Sequence, residues 1–254
     1  MTLLHEERAP GPPEFLRTVG HPLRWRLLGE LARSDRTVRE LCGLVDEPQN
    51  LVSYHLGKLR RAHLVSGRRS SADGRDTYYR ADLAHVGEHL AATGAALHPA
   101  LGLVRRSGLL PEAGRVRVLF LCSGNSGRSQ MAEALTNERS RGAVEARSAG
   151  LRPKPLHPDA VRAMREDYGI DIAGQRSKHL DDVGSQRFDE VISLCDLVRE
   201  ACPDVPGHPE AVHWSMPDPS AAPAGYPAFQ QSAAELDNRI GFLLAALAHR
   251  QSAA

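Results

Sequence analysis

The 254-residue chain has four cysteines, three lysines among its 32 basic residues, and no apolar run of membrane-spanning length. A spanning helix needs about 20 consecutive apolar residues, so an integral membrane protein of the helical kind is excluded. The sequence does not open on a basic-then-apolar leader, and a cytoplasmic protein is expected. Four cysteines in such a chain argue against a structural disulfide framework. A strong charge excess is also missing, since 32 basic residues face 31 acidic ones. The balance shifts along the chain: residues 1–114 carry 16 Lys and Arg against 13 Asp and Glu, and the remainder 16 against 18. A mildly basic first part has the right sign for nucleic acid, though the asymmetry is too small to prove it. The length suits one large domain or two small ones, and the texture of the sequence favours two.

What is present is concentrated in Val118-Leu-Phe-Leu-Cys122-Ser-Gly-Asn-Ser-Gly-Arg128-Ser129, which reads as a buried strand, a glycine-bearing loop and a helix start. A cysteine released from a strand into a loop of amide N–H groups, at the positive end of the next helix and one loop away from an arginine, is set up as a thiolate. The same donors would grip a tetrahedral oxyanion. The loop comprises Ser123, Gly124, Asn125, Ser126 and Gly127. A bare Cys-x5-Arg spacing means little, because a buried cysteine and an unrelated surface arginine produce it too; the flanking strand and helix give it content.

This stretch resembles the low-molecular-weight protein tyrosine phosphatase fold, and its Arg-Ser-Gln-Met-Ala-Glu continuation is similar to the thioredoxin-coupled arsenate reductase branch of that fold. The likeness covers roughly residues 116–250. Further matches follow in order: Ser148-Ala149-Gly150 ending a second strand, Val191-Ile-Ser-Leu-Cys195 ending a third, Cys202-Pro203, and His213-Trp214 before Asp218-Pro219. The resemblance implies a parallel α/β sheet with its chemistry at the carboxyl ends of the strands. It implies that Cys122 attacks arsenate held by the loop amides and Arg128, that Ser129 donates to the thiolate, and that Asp218 protonates the departing oxygen. Cys195 would then release arsenite, and Cys202 would resolve the disulfide, leaving a Cys195–Cys202 bond for thioredoxin as external reductant. No tightly bound cofactor is implied. Some reductases of this kind bind potassium near the loop, and Asn125, Glu133 and Ser148 match that site. Lys178 stands in the place of an acidic ligand, so no potassium requirement is expected.

The alternative is a phosphatase, which would use the same loop, arginine and aspartate. Phosphatases of this fold follow the Asp-Pro pair with aromatic residues that flank phosphotyrosine, whereas here Ser220-Ala221-Ala222 follows. Gly127 departs from the reductases, which often carry a second loop cysteine there, but that cysteine lies outside the relay. Cys195 and Cys202 also admit a plainer reading as two buried thiols. Seven positions of helix would hold their Cα atoms about 10.5 Å apart, against roughly 4.4 to 6.8 Å for a disulfide. Residues 196–201 therefore form a loop, or unwind when the bond forms.

In the first part, Leu23, Leu27, Leu28 and Leu31 line one face of a helix from about His21 to Ala32. Thr37 can cap a short helix with Val38, Leu41, Leu44 and Val45 that ends at Asp46-Glu47-Pro48. The next helix, Pro48 to about Ala62, buries Val52, Leu56 and Leu59 and turns Gln49, Asn50, Ser53, Tyr54 and Lys58 outward, a set suited to base and phosphate contacts. Leu64-Val65-Ser66 and Thr77-Tyr78-Tyr79 read as strands of a hairpin around Asp73-Gly74, with Arg68, Arg69, Arg75 and Arg80 near it. This order resembles the ArsR family of winged-helix repressors over about residues 14–110; the plainer alternative is a small helical domain with a solvated polar face. The resemblance implies binding to operator DNA, and an Ala- and Leu-rich terminal helix in residues 84–110 that forms a homodimer. Cys42 alone cannot chelate arsenite and reads as a core residue. Asp82, His85, His89 and His98 fit either a zinc site or a solvated helix face, and no metal is expected.

The domain plan is a flexible tail at 1–13, a winged helix-turn-helix domain at 14–110, a linker at 111–115 and an α/β domain at 116–250. Three classes of function follow: a transcriptional regulator fused to an arsenate reductase, a DNA-binding domain fused to a tyrosine phosphatase, and a regulator whose second domain only senses a ligand. The intact Cys122, Arg128 and Asp218 set opposes the third.

Overall fold

The leucine spacing around Leu27 produces helix α2 (Pro22–Arg33), preceded by α1 (Glu14–Val19), in a computed structural model that describes residues 11–72, 74–98, 101, 116–183, 186–201 and 211–253. Leu23, Leu27, Leu28 and Leu31 are all buried, with Phe15 and Val19 of α1 beside them in one core. A two-residue strand, β1 (Arg36–Thr37), leads into α3 (Val38–Val45). A reciprocal cap fixes the start of α3: Thr37 Oγ1 accepts the Glu40 N–H at 3.3 Å, and Glu40 Oε2 accepts the Thr37 N–H at 2.8 Å. Asp46, left-handed at φ 51°, ends it. Pro48 occupies the cap position of α4 (Gln49–Arg61), which buries Val52, Leu56 and Leu59 as expected. Strands β2 (Val65–Arg69) and β3 (Thr77–Ala81) join β1 in a three-stranded sheet of order β1-β3-β2. Helix α5 (Leu83–Leu97) follows and buries none of its residues.

The chain divides into two compact units. One comprises Met1–Ala32, Thr37–Gly67 and Tyr79–Arg105; the other comprises Arg33–Arg36, Arg68–Tyr78 and Arg106–Ala254. The expected tail and linker fall almost wholly outside the described residues.

The second unit is built on four parallel strands, β4 (Val116–Cys122), β5 (Val144–Gly150), β6 (Glu190–Ser193) and β7 (Val212–His213), in the order β5-β4-β6-β7. Val118 to Leu121 are all buried, as a parallel strand covered on both faces requires. Helices α6 (Arg128–Ser140), α7 (Pro158–Tyr168), α8 (Asp196–Ala201) and α9 (Tyr226–Ala253) complete the unit. Register pairs Cys122 with Gly150 at the carboxyl ends of β4 and β5. On the other side, the Leu194 N–H donates to the Leu121 carbonyl at 2.7 Å, so Cys195 leaves the sheet at the same edge. Of the two readings open for residues 196–201, a loop or a segment that unwinds, the structure shows a helix; Cys202 lies outside the described residues. Cys42, Cys122 and Cys195 are free thiols. No described helix is long and apolar enough to cross a membrane.

Candidate active site

The loop after β4 is shaped by hydrogen bonds on its outer side. The carbonyls of Ser123, Gly124 and Ser126 each accept a backbone N–H at 2.8 Å, from Arg152, Lys154 and His157. The Asn125 carbonyl accepts the Ser177 hydroxyl at 2.8 Å. Among the described residues the N–H groups of Ser123, Gly124, Ser126 and Gly127 have no protein acceptor, so they remain for an anion. The Asn125 N–H donates to Cys122 Sγ at 3.2 Å, an orientation that depends on its left-handed backbone at φ 44°. Asn125 tolerates that region better than most side chains.

A chain of buried polar groups fixes the loop from beneath. Asn125 Nδ2 donates to Ser129 Oγ at 2.9 Å and to Ser148 Oγ at 2.8 Å. Its Oδ1 accepts the Lys178 N–H at 2.7 Å, which assigns the amide orientation. Ser129 Oγ lies 2.9 Å from Cys122 Sγ and accepts from Asn125; when Cys122 is a thiolate the sulfur can only accept, so the Ser129 proton is then the one shared between them. Ser148 in turn donates to Glu133, whose carboxylate is paired with Lys178 Nζ at 3.1 Å. The lysine noted in the sequence thus places an ammonium beside Glu133.

Arg128, only 5% exposed, donates through Nη1 to the Met216 carbonyl at 2.8 Å and through Nη2 faces Asp218 Oδ2 at 3.3 Å. Asp218 is half-buried and its other oxygen accepts the Ser220 hydroxyl at 2.8 Å. These groups open on a cavity of about 310 Å³ lined by Cys122, Arg128, Asp218, Lys154, His157 and Phe229, among others. The last three carried no signal in the sequence pattern, because they come from segments outside the Cys122–Arg128 motif. A nucleophilic sulfur, inward amides, a guanidinium and a carboxyl around one small cavity can bind a tetrahedral oxyanion and displace one of its oxygens.

A match to the family described as low molecular weight phosphotyrosine protein phosphatase covers residues 117–253, more than half of the chain. The chain belongs to that family. Residues 21–66, from α2 to the start of β2, match the bacterial regulatory protein, arsR family. Arsenate reductase of Brevibacillus brevis is 40% identical over 123 residues, covering 48% of this chain and 90% of that protein. Arsenate reductase of Halalkalibacterium halodurans is 41% identical over 105 residues, covering 41% of this chain and 75% of that protein. Among solved structures, the low molecular weight protein tyrosine phosphatase from T. tengcongensis shares 29% identity at a TM-score of 0.46, covering 52% of this chain and 99% of that one.

In this phosphatase-family unit Cys195 is buried, and Asp196, which follows it, is fully enclosed. Burial alone would raise the Asp196 carboxyl, but hydrogen bonds from His213, the Ser71 N–H and Ser215, with the charge of Arg68, hold it well below the usual carboxylate range. Its anionic form therefore adds stability above about pH 4 that is lost as the pH falls toward the folded value. Arg68 is placed on this carboxylate, with Nη2 2.6 Å from Asp196 Oδ2, while Arg69 and Arg75 are exposed. On α4 of the arsR-type segment, Gln49, Asn50, Ser53, Tyr54 and Lys58 are all exposed, with Lys58 Nζ 5.4 Å from the Tyr54 ring centre. His55 on the same helix was not anticipated; it is buried, and burial lowers its basicity. On α5, Asp82 caps the helix by accepting the His85 N–H at 3.0 Å, and His85 and His89 approach to 3.1 Å. Among the described residues no group of three or more His, Cys, Asp or Glu could hold a metal ion.

Gly150 is where the sheet meets the loop: a Cβ there would lie 2.8 Å from the Asn125 nitrogen and 2.9 Å from the Ser123 carbonyl oxygen. Both neighbours are backbone, so the loop must shift. Gly150→Ala is expected to weaken inorganic phosphate binding by about tenfold, the equivalent of one lost hydrogen bond to a charged group at about 1.5 kcal/mol, while leaving the fold intact. Calorimetric titration with phosphate, with circular dichroism as control, checks this; unchanged affinity contradicts the geometry.

Proposed function

We propose that the protein reduces arsenate to arsenite at Cys122 and binds operator DNA through its arsR-type segment, joining a regulator to an arsenate reductase. The observation that carries the catalytic half is the Cys122 sulfur, which receives the Asn125 amide and the Ser129 hydroxyl beneath a loop of free amides. The likeness to arsenate reductases at 40% identity supports the choice of substrate. In this reading arsenate enters the loop with Arg128 on its oxygens. The Cys122 sulfur attacks arsenic, Asp218 gives a proton to one oxygen, and that oxygen leaves as water. Cys195 then attacks the Cys122 sulfur; the S–As electron pair stays on arsenic, which departs as arsenite, and a Cys122–Cys195 disulfide remains. Cys202 attacks Cys195, freeing Cys122, and thioredoxin reduces the Cys195–Cys202 bond by exchange. Because α8 spans the interval between these two cysteines, it must unwind in that last step. No bound cofactor takes part. Asp218, Arg128 and Cys122 also suffice for slow hydrolysis of an aryl phosphate, which is the specific ground for a residual phosphatase activity.

The DNA half rests on the exposed polar face of α4 and on Arg69 and Arg75 of the hairpin, since Arg68 is held by Asp196. Helix α5, with no buried residue and with Leu90 and Leu97 exposed, supplies an apolar surface for a second copy, so the active regulator is a homodimer.

Cys122→Ser abolishes both arsenate reduction and aryl phosphate hydrolysis, since a hydroxyl here has no base to activate it. Cys202→Ser completes one arsenate turnover and stalls as a Cys122–Cys195 disulfide, seen by mass spectrometry of the trapped peptide pair, yet it still hydrolyses aryl phosphate while reduced. Sustained thioredoxin-dependent turnover by Cys202→Ser would refute the relay. For DNA, Lys58→Ala lowers affinity for all duplexes and reduces the salt slope by about one, whereas Gln49→Ala changes preference among sequences. Fluorescence anisotropy across a salt series measures both, and equal binding at low and high salt contradicts the assignment.

A further inference from the structure

The charges around the cavity do not balance for the anion it is built to hold. Arg128 is the buried cation that lines the cavity, and Asp218 faces it at 3.3 Å. With Cys122 acting as a thiolate and Asp218 holding the proton it gives to the leaving oxygen, as the proposed chemistry requires, the charge of Arg128 is offset by the sulfur, and the loop amides alone attract the anion. A second cation would add the missing charge, and one stands at the rim.

Lys154 lines the same cavity as Cys122, Arg128 and Asp218. It is anchored to the anion loop itself, because its N–H donates to the Gly124 carbonyl at 2.8 Å. The Ser177 hydroxyl sits between the two stretches of chain, 2.5 Å from the Lys154 carbonyl and 2.8 Å from the Asn125 carbonyl, with one proton shared between them. Pro153 and Pro155 flank the lysine and fix their own backbone angles. The side chain runs alongside Gly124: a Cβ at Gly124 would lie 3.6 Å from Lys154 Cγ and 3.5 Å from Cδ. The stem therefore passes along the loop, while the residue as a whole is exposed. Its ammonium is not spent elsewhere, as no carboxylate pairs with Lys154 among the described residues, in contrast to Lys178, which pairs with Glu133.

We propose that Lys154 is a specificity-determining residue of the Cys122 cavity, supplying the second positive charge that selects doubly charged over singly charged tetrahedral oxyanions. The assignment deepens the reductase reading and rests on it for the identity of the substrate. An anion-binding role, however, is measurable without turnover. The ammonium at the rim attracts the dianion during entry and remains near the oxygens that the loop amides do not reach. Removing it raises KM and leaves kcat nearly unchanged, because bond making at Cys122 depends on groups deeper in the cavity.

The test uses the reduced full-length chain, with inorganic phosphate as the probe, titrated calorimetrically between about pH 6 and about pH 8 across its second ionisation. The unmodified protein binds more tightly as the dianion replaces the monoanion. In Lys154→Met the dissociation constant at the upper pH rises about fivefold and the pH dependence flattens, while Lys154→Arg keeps both. The salt dependence of binding weakens in the same variant. Lys154→Met with unchanged affinity and pH profile would overturn the proposal, and so would a loss of equal size at both pH values, which would mark a steric rather than a charge effect. Failure of the unmodified protein to reduce arsenate, alongside the predicted phosphate behaviour, would sink the reductase reading and leave the role of Lys154 standing.

Discussion

The left-handed backbone of Asn125 is the constraint on which the catalytic unit depends. A non-glycine residue in that region costs about 1–2 kcal/mol, yet only there does its N–H face the Cys122 sulfur. Each hydrogen bond to its side chain and carbonyl returns about 0.5–1.5 kcal/mol, and Ser129, Ser148, Gln130, Ser177 and Lys178 all contribute one. Those partners come from α6, β5 and the segment before β6, so a local strain is offset by the whole sheet. The register of β4 against β5 then sets Gly150 beneath the loop, where any side chain would collide with backbone. The Glu133–Lys178 pair closes the far end of the network. Glu133 is nearly enclosed while Lys178 is partly open to solvent, so the pair compensates the carboxylate without being fully desolvated.

Much of this was legible in the sequence because it is local. Four consecutive apolar residues before Cys122, followed by a glycine-bearing loop, read as a buried strand meeting a helix, and Arg128 and Ser129 open that helix. The cap at Thr37 and the leucine faces of α2 and α4 were legible for the same reason, since capping and the 3.6 period act over a few residues. What escaped is assembled from distant segments. Lys154, His157 and Phe229 meet only when α7 and α9 are brought to the mouth of the loop, and no pattern in either stretch records it. The enclosed Asp196 is satisfied by His213 and Ser215, which lie 17 and 19 positions further along the chain. Residues 196–201 were ambiguous because six polar and apolar residues between two cysteines fit a helix and a loop equally well. His55 was hidden by its neighbours, since a histidine between Tyr54 and Leu56 is as compatible with the outward face as with the core.

The two compact units embody different physics. In the catalytic unit, the polar groups around Cys122 are buried and hydrogen-bonded to one another, so position is fixed and chemistry depends on small displacements. In the arsR-type segment, the residues suited to DNA are exposed, so affinity would come from charge and respond to salt. A single chain carrying both provides an oxyanion-binding cavity and a DNA-binding face at equal stoichiometry.

The central claim is that the Cys122 cavity turns over arsenate with electrons delivered through Cys195 and Cys202. The most direct measurement is steady-state NADPH oxidation by the intact protein with thioredoxin, thioredoxin reductase and arsenate, followed by quantitation of arsenite. One arsenite per NADPH, saturable in arsenate and absent when either thioredoxin or the protein is omitted, is the predicted result. No arsenite, together with brisk hydrolysis of a phosphotyrosine peptide by the same preparation, would contradict the account.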